Sequence, residues 1–186
     1  MYKILGISGS LRRKSLNSAA LIAAGEVMPP EMTLEVVRYD EIPLYNQEIQ
    51  DQGWPAAVNR LRDQIAGAEG LLIASPEYNY SVSGVLKNAI DWLSRMPNQP
   101  FKHKPIAIIS ATGGPLGGAR NQYELRKSLG GLEGLVLLRP EIFIGAAQTK
   151  FNAELKLTDE PARKILGEQM IAFRDWIRKM TGGTTT

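Results

Sequence analysis

Gly70-Leu71-Leu72-Ile73-Ala74-Ser75-Pro76-Glu77-Tyr78-Asn79-Tyr80 is the stretch on which the fold turns. Its first five residues are apolar without interruption. A strand exposed on one face alternates in polarity, so this run describes a strand covered on both faces, as in a parallel sheet. Pro76 then stops the strand, and the chain becomes polar and aromatic. Ser83 to Leu93 resumes with helical spacing. The same unit of strand, loop and helix repeats on either side. Upstream, Lys3 to Ser8 reads as a strand, and Asn17 to Val27 as a helix stopped by Pro29-Pro30. Leu34 to Arg38 alternates as a strand, and Ala56 to Ala66 places Val58, Leu61 and Ile65 on one helical face. Downstream come a second buried strand, Ile106 to Ser110, and a helix from Ala119 to Leu129. Apolar runs follow at Gly134 to Leu138 and Ile142 to Ile144, with a last helix from Pro161 to Met180. Ile42 to Trp54 is the longest irregular segment and reads as a surface loop.

Strands alternating with helices imply a doubly wound α/β sheet with right-handed crossovers. Five strands suit a three-layer, flavodoxin-like sandwich with a parallel sheet in the order 2-1-3-4-5 better than a six-stranded dinucleotide fold. The 186 residues suit one domain, residues 1–180, with a polar tail at 181–186 that is expected to fray. A second nucleotide domain does not fit in this length.

With no cysteine in the chain, disulfides, thiolate nucleophiles, zinc–sulfur sites and iron–sulfur clusters are excluded. No charged-then-apolar leader and no apolar run of about 18 residues occurs. A cytoplasmic protein without a membrane partner is expected. The formal net charge is +3, and its one local cluster is Arg12-Arg13-Lys14. That cluster is either a solvated loop or an attractor of small anions. No groove-reading motif or basic stripe with interleaved aromatics accompanies it, so no nucleic-acid partner is expected.

Open parallel sheets bind ligands beyond the carboxyl ends of their strands. The loop after the first strand, Ser8 to Asn17, combines hydroxyls, glycine and positive charge and ends at a helix N-terminus. Such an end favours an anion. Ser10 and Ser15 offer hydroxyl donors, and Arg12 a bidentate one. Asn17 either caps the helix or binds the ligand. The Walker pattern and G-x-G-x-x-G are absent. Gly6-Ile7-Ser8-Gly9-Ser10 fails the hydrolase elbow, because Ser10 stands where its second glycine belongs. The single histidine, His103, lies before a strand, at the wrong end of the sheet to serve as a base there. After the third strand, Pro76 to Tyr80 offers two tyrosines to stack on a planar ring. After the fourth, Ala111-Thr112-Gly113-Gly114-Pro115-Leu116-Gly117-Gly118 carries four glycines that let backbone approach a flat ligand. One loop suits phosphate and two suit a heteroaromatic ring, and FMN has both parts.

Gly9-Ser10-Leu11-Arg12-x-x-Ser15-x-Asn17, Pro76-Glu77-Tyr78-Asn79-Tyr80-Ser81 and Leu86-Lys87-Asn88-Ala89-Ile90-Asp91-Trp92 together resemble the NADPH-dependent FMN reductase family. The subgroup of soluble bacterial quinone and chromate reductases is the most similar. The resemblance covers the chain to about Met180. It implies that Ser10, Arg12, Ser15, Leu16 and Asn17 hold the FMN phosphate, and that Pro76, Glu77, Tyr78, Asn79 and Tyr80 line the isoalloxazine and ribityl chain. It further implies that Ser110, Thr112, Gly113 and Gly114 close the far side. The chemistry belongs to the flavin, so no catalytic triad and no metal are expected. NADPH or NADH would reduce FMN in a ping-pong cycle, with a quinone as acceptor and chromate, azo compounds or free flavin as others. Two other readings share the cleft: a flavodoxin-like electron carrier, and a nucleotide-sensing binding protein without turnover. The resemblance also implies a homodimer or homotetramer. The wide apolar arc of the Gly84 to Leu93 helix (Val85, Leu86, Ala89, Ile90, Trp92, Leu93) fits burial against both the sheet and a partner subunit. Arg95, just past that helix, either meets an anionic substrate or serves as a surface cation at the helix end.

Overall fold

A computed structural model describes residues 1–182. Strands β1 (Tyr2–Ser8), β2 (Met32–Val37), β3 (Gly70–Ala74) and β6 (Pro105–Ala111) form the body of a parallel sheet. β4 (Glu77–Tyr78) and β5 (Ser81–Val82) form a separate small antiparallel hairpin. β7 (Leu135–Val136) and β8 (Ile142–Ile144) both run parallel to β6. The order is β2-β1-β3-β6, then β7 and β8 sharing the last position. This is the expected 2-1-3-4-5 arrangement with its fifth place divided. β7 pairs with Pro105 and Ile106, and β8 with Ile109 to Ala111. Between them the edge leaves the ladder, and Arg126 on a neighbouring helix donates 2.8 Å to the Leu137 carbonyl there.

The helices are α1 (Leu16–Glu26), α2 (Gln47–Asp51), α3 (Ala56–Ala66), α4 (Gly84–Ser94), α5 (Ala119–Gly131) and α6 (Glu160–Met180). Alternation along the buried strands divides the core into two layers. Ile4, Leu72, Ala74, Ala107, Ile109 and Ala111 face α1 and α6. Leu5, Ile7, Leu71, Ile73, Ile106 and Ile108 face α3, α4 and α5. The α1 side is built small: strand alanines meet Ala19, Ala20, Ala23 and Ala24 of the helix. That brings the start of α1 close to the ends of β1 and β6, where the site lies.

The loop Ile42 to Trp54 contains α2 and covers the outer side of α4. Trp92 is completely buried there; its indole donates 2.8 Å to the Pro43 carbonyl and lies edge-on to Tyr45 and Trp54. Asn88 donates to the same carbonyl and accepts from the Tyr45 amide. At Trp92 the apolar arc of α4 is covered by the chain's own loop. α6 is N-capped by Asp159 and closed by Thr181; the rest of the expected tail, 183–186, lies outside the described residues. Among the described residues, no helix is long and apolar enough to cross a membrane.

Candidate functional site

Every β–α loop of the parallel sheet opens at the same end, and three of them meet there. Arg12, Leu16 and Asn17 from the first, Pro76, Glu77 and Tyr78 from the second, and Ala111, Thr112 and Gly113 from the third line one cleft of about 140 Å3. Gln148, on a short turn after β8, completes its wall. A larger hollow of about 310 Å3 beside Lys3, Thr33 and Gln64 sits against the start of β1, away from these loops.

The first loop is tied down before it reaches α1. Tyr39, buried after β2, donates its hydroxyl 2.8 Å to the Ser8 carbonyl, and burial pushes its pKa well above the usual tyrosine range. The Ser83 hydroxyl donates 2.6 Å to the Gly9 carbonyl. Gly9 has no alternative here: a Cβ would stand 2.8 Å from Pro76 Cδ. The phosphate-type loop and the ring-type loop therefore touch through a glycine.

Ser15 N-caps α1, accepting from the Ser18 amide at 3.2 Å. That leaves the amides of Leu16 and Asn17 outside the helix ladder, directed at the loop. Ser10 is buried, and its hydroxyl oxygen has no hydrogen-bond partner. A buried hydroxyl with no partner costs roughly 1–3 kcal/mol, so an acceptor or donor belongs beside it. Arg12 is exposed, and among the described residues no carboxylate pairs with it. An unpartnered buried hydroxyl, free helix amides and an unpaired guanidinium fit a phosphoryl group. Arg13 lines a different hollow, with Ser18, Ile22 and Lys156.

The second loop is a tight hairpin. Asn79 and Tyr80 both sit in the left-handed region, at φ 50° and 68°. Such turns favour Asn-Gly, and a tyrosine there is strained by on the order of 1–3 kcal/mol. Arg120 holds the strain in place: its guanidinium lies 3.8 Å from the Tyr80 ring centroid and donates 2.9 Å to Glu77. The other Glu77 oxygen accepts from the Asn121 amide at 3.3 Å, at the start of α5. The hairpin leaves Tyr78 and Tyr80 exposed.

The third loop brings Thr112 and Gly113 to the cleft, with Gly114 next in the chain and exposed. Ser110 is completely buried and directed inward; its hydroxyl donates 2.5 Å to the Gly117 carbonyl and accepts from Gln122 at 2.8 Å. Its expected contact with the ligand is replaced by a supporting role under the loop. The Asn17 side chain does not cap α1, since both ends of its carboxamide are bound to Ala111.

Arg95 is not part of this group. It ends α4, whose 11 residues carry it about 16 Å from the hairpin toward the opposite end of the sheet. There it donates 2.6 Å to the Asp91 carbonyl and lies 4.1 Å from the centre of the Tyr45 ring. The substrate role expected of it has no geometric basis within the chain. The physical reason is the antiparallel return of the helix: a residue one helix away from a site loop lies at the other edge. His103 likewise stands two residues before β6, beside Glu133. Tyr39, Arg120 and Gln148 are the residues that sequence reasoning does not reach. Gln148 had one signal, its place just after a strand end; Arg120 is exposed-looking charge at the start of a helix.

A model of the NADPH-dependent FMN reductase family matches residues 2–149. An NAD(P)H-dependent FMN reductase of Pseudomonas aeruginosa is 50% identical over 180 residues, covering 97% of both chains. A quinone reductase of Escherichia coli K12 is 39% identical over 181 residues, covering 96% of each. Among solved structures, the flavoenzyme NAD(P)H:(acceptor) oxidoreductase FerB from Paracoccus denitrificans superposes with a TM-score of 0.88 at 31% identity, over 97% of this chain and 99% of that one.

Proposed function

The chain belongs to the NADPH-dependent FMN reductase family, and from that premise we propose that it reduces quinones with electrons from NAD(P)H at the cleft between β1, β3 and β6. It is an FMN-dependent NAD(P)H oxidoreductase with a small-molecule acceptor. The observation that carries the cofactor reading is the Ser10 hydroxyl, buried without a partner in the loop that leads into α1.

Ser10, Arg12, Ser15 and the amides of Leu16 and Asn17 hold the phosphate. Pro76 to Tyr80 lie along one side of the ring, with Thr112, Gly113 and Gly114 on the other. Ser110 supports that loop from below, and the Asn17 side chain ties the start of α1 to Ala111. Bound FMN supplies the acceptance of a hydride and its release as electrons to a second substrate. The residues bind and orient it. Positive charge and helix dipole fix one end, and the hairpin fixes the ring edge with backbone N–H and C=O groups. With FMN held in the cleft and no second nucleotide domain in the described chain, nicotinamide and quinone would use the exposed ring face in turn. The +3 net charge favours the approach of anionic acceptors such as chromate through attraction alone. The absence of cysteine fits a cytoplasmic setting.

Initial rates measured against NADPH at several fixed quinone concentrations test this reading. Parallel double-reciprocal lines are expected; lines that intersect would require both substrates to be bound together and would overturn the single-place arrangement.

A further inference from the structure

We propose that Asn17 is a positioning residue: it replaces a missing strand neighbour of β6 and so sets the distance between the phosphate end and the ring end of the cleft. This rests on the FMN reading above. The inference begins with where β3 stops. β3 and β6 pair as far as Ala74 opposite Ile109, and the Ser75 amide then donates 3.0 Å to the Ile109 carbonyl. The Ser75 carbonyl, next in line for the Ala111 amide, instead accepts from the Asn121 side chain at 2.9 Å, and Pro76 turns the chain away into the hairpin before the Glu77 amide could reach the Ala111 carbonyl. β6 continues to Ala111, so on its β3 side the Ala111 amide and carbonyl lose their backbone neighbour.

The Asn17 side chain takes that place. Its Oδ1 accepts from the Ala111 amide at 3.0 Å, and its Nδ2 donates to the Ala111 carbonyl at 2.9 Å. A carboxamide has the same donor and acceptor groups as a peptide unit, and here it satisfies both groups of one residue at once. The pair is buried, with Asn17 3% exposed, and joins residues 94 positions apart. Buried backbone groups without partners are costly, so this bond is strongly specified.

Its location gives it a function beyond satisfaction. Asn17 is the second residue of α1, next to the phosphate-holding amides. Ala111 is the last residue of β6, next to Thr112 and Gly113 on the ring side. The buried residues of α1 on this face are otherwise mostly alanines, with Leu21, and such small side chains resist sliding only weakly. The carboxamide is a directional strut between two half-sites that a single FMN must span. A ligand held at two points gains affinity only while both points are held at the right separation. Asp at this position keeps the acceptor and loses the donor; Ala loses both.

The test compares the native full chain with Asn17→Ala, Asn17→Asp and Arg12→Ala. Before FMN is supplied, amide exchange at Ala111 is expected to be at least about tenfold faster in Asn17→Ala than in the native chain. FMN affinity is expected to fall about tenfold. At saturating FMN, the visible circular dichroism of the flavin is expected to change in Asn17→Ala and to stay native in Arg12→Ala, which acts on the phosphate alone. Unchanged Ala111 exchange would overturn the strut. So would a loss of affinity with native flavin dichroism, because that describes a phosphate contact. If Asn17→Ala does not fold, Asn17→Asp decides by the same readouts, with an intermediate effect expected. If the native chain binds no FMN, the function reading fails, while Ala111 exchange still decides the strut.

Discussion

Arg12 and Arg13 are adjacent in sequence, equally exposed, and face different hollows. Of the two, Arg12 is the one that lines the cleft between the three loops, and it is the one proposed to meet the cofactor. Removing the Arg12 guanidinium withdraws a charge-assisted, bidentate donor, an interaction of about 1.5–3 kcal/mol. Arg12→Ala is therefore expected to lower FMN affinity about tenfold or more. Flavin content after gel filtration is the measurement, and Arg13→Ala is expected to retain FMN as the native chain does. Tyr39 acts one step back, through the Ser8 carbonyl. Its folded pKa is raised by burial, so the folded state holds the phenolic proton more tightly than the unfolded chain. The stability this confers is complete below the ordinary tyrosine value of about 10 and is lost as pH rises above it. Thermal melts at increasing alkaline pH are expected to show a steeper decline for the native chain than for Tyr39→Phe. At this scale the sequence shows residue types but not their directions. Ser10, Ser15 and Arg12 read as candidate anion ligands because a helix start follows them, and the structure does place Ser15 at the cap of that helix. Ser110 and Asn17 look the same on paper, yet their side chains turn inward, toward Gly117 and Ala111.

The elements were legible where burial on both faces leaves an unbroken apolar run, as in Gly70–Ala74 and Ile106 to Ser110. They were not legible where the backbone does something its residues disfavour. The β4–β5 hairpin carries Asn-Tyr at its left-handed corner in place of Asn-Gly, and only the Arg120 and Glu77 contacts explain how it persists. The sheet edge divides between β7 and β8: the Leu137 amide still donates to Ile106, while its carbonyl accepts from Arg126 of α5, and nothing in the sequence pattern marks that change of partner. The loop over Trp92 looked irregular because its hydrogen bonds go to the side chains of α4. The glycines after β6 are the clearest element-scale requirement. Gly117, at φ 60°, is pressed against the β8 backbone, where a Cβ would stand 2.6 Å from the Phe143 carbonyl carbon. Gly117→Ala adds a backbone clash to a left-handed cost of about 1–2 kcal/mol. It is expected to lower the melting temperature and to misplace the start of α5, with loss of FMN. Gly114→Ala meets nothing within 4 Å and is expected to melt as the native chain does.

For the whole molecule, the doubly wound order places every strand-to-helix loop at one end, and that alone locates the cleft before any side chain is considered. The same topology places Arg95 and His103 away from the cleft of their own chain. What the order does not convey is the set of ties that make three loops one site: Tyr39 to Ser8, Ser83 to Gly9, and Asn17 to Ala111. These cross long sequence separations and join polar residues whose local context reads as loop or cap. The account stands on the claim that this cleft binds FMN and passes electrons from NAD(P)H to a quinone. The most direct test is the absorbance spectrum of the purified, FMN-supplied protein under anaerobic conditions, before and after NADPH and then after a quinone. Flavin bands that bleach with NADPH and return with the quinone are the predicted result; bands that persist after NADPH and NADH would contradict it.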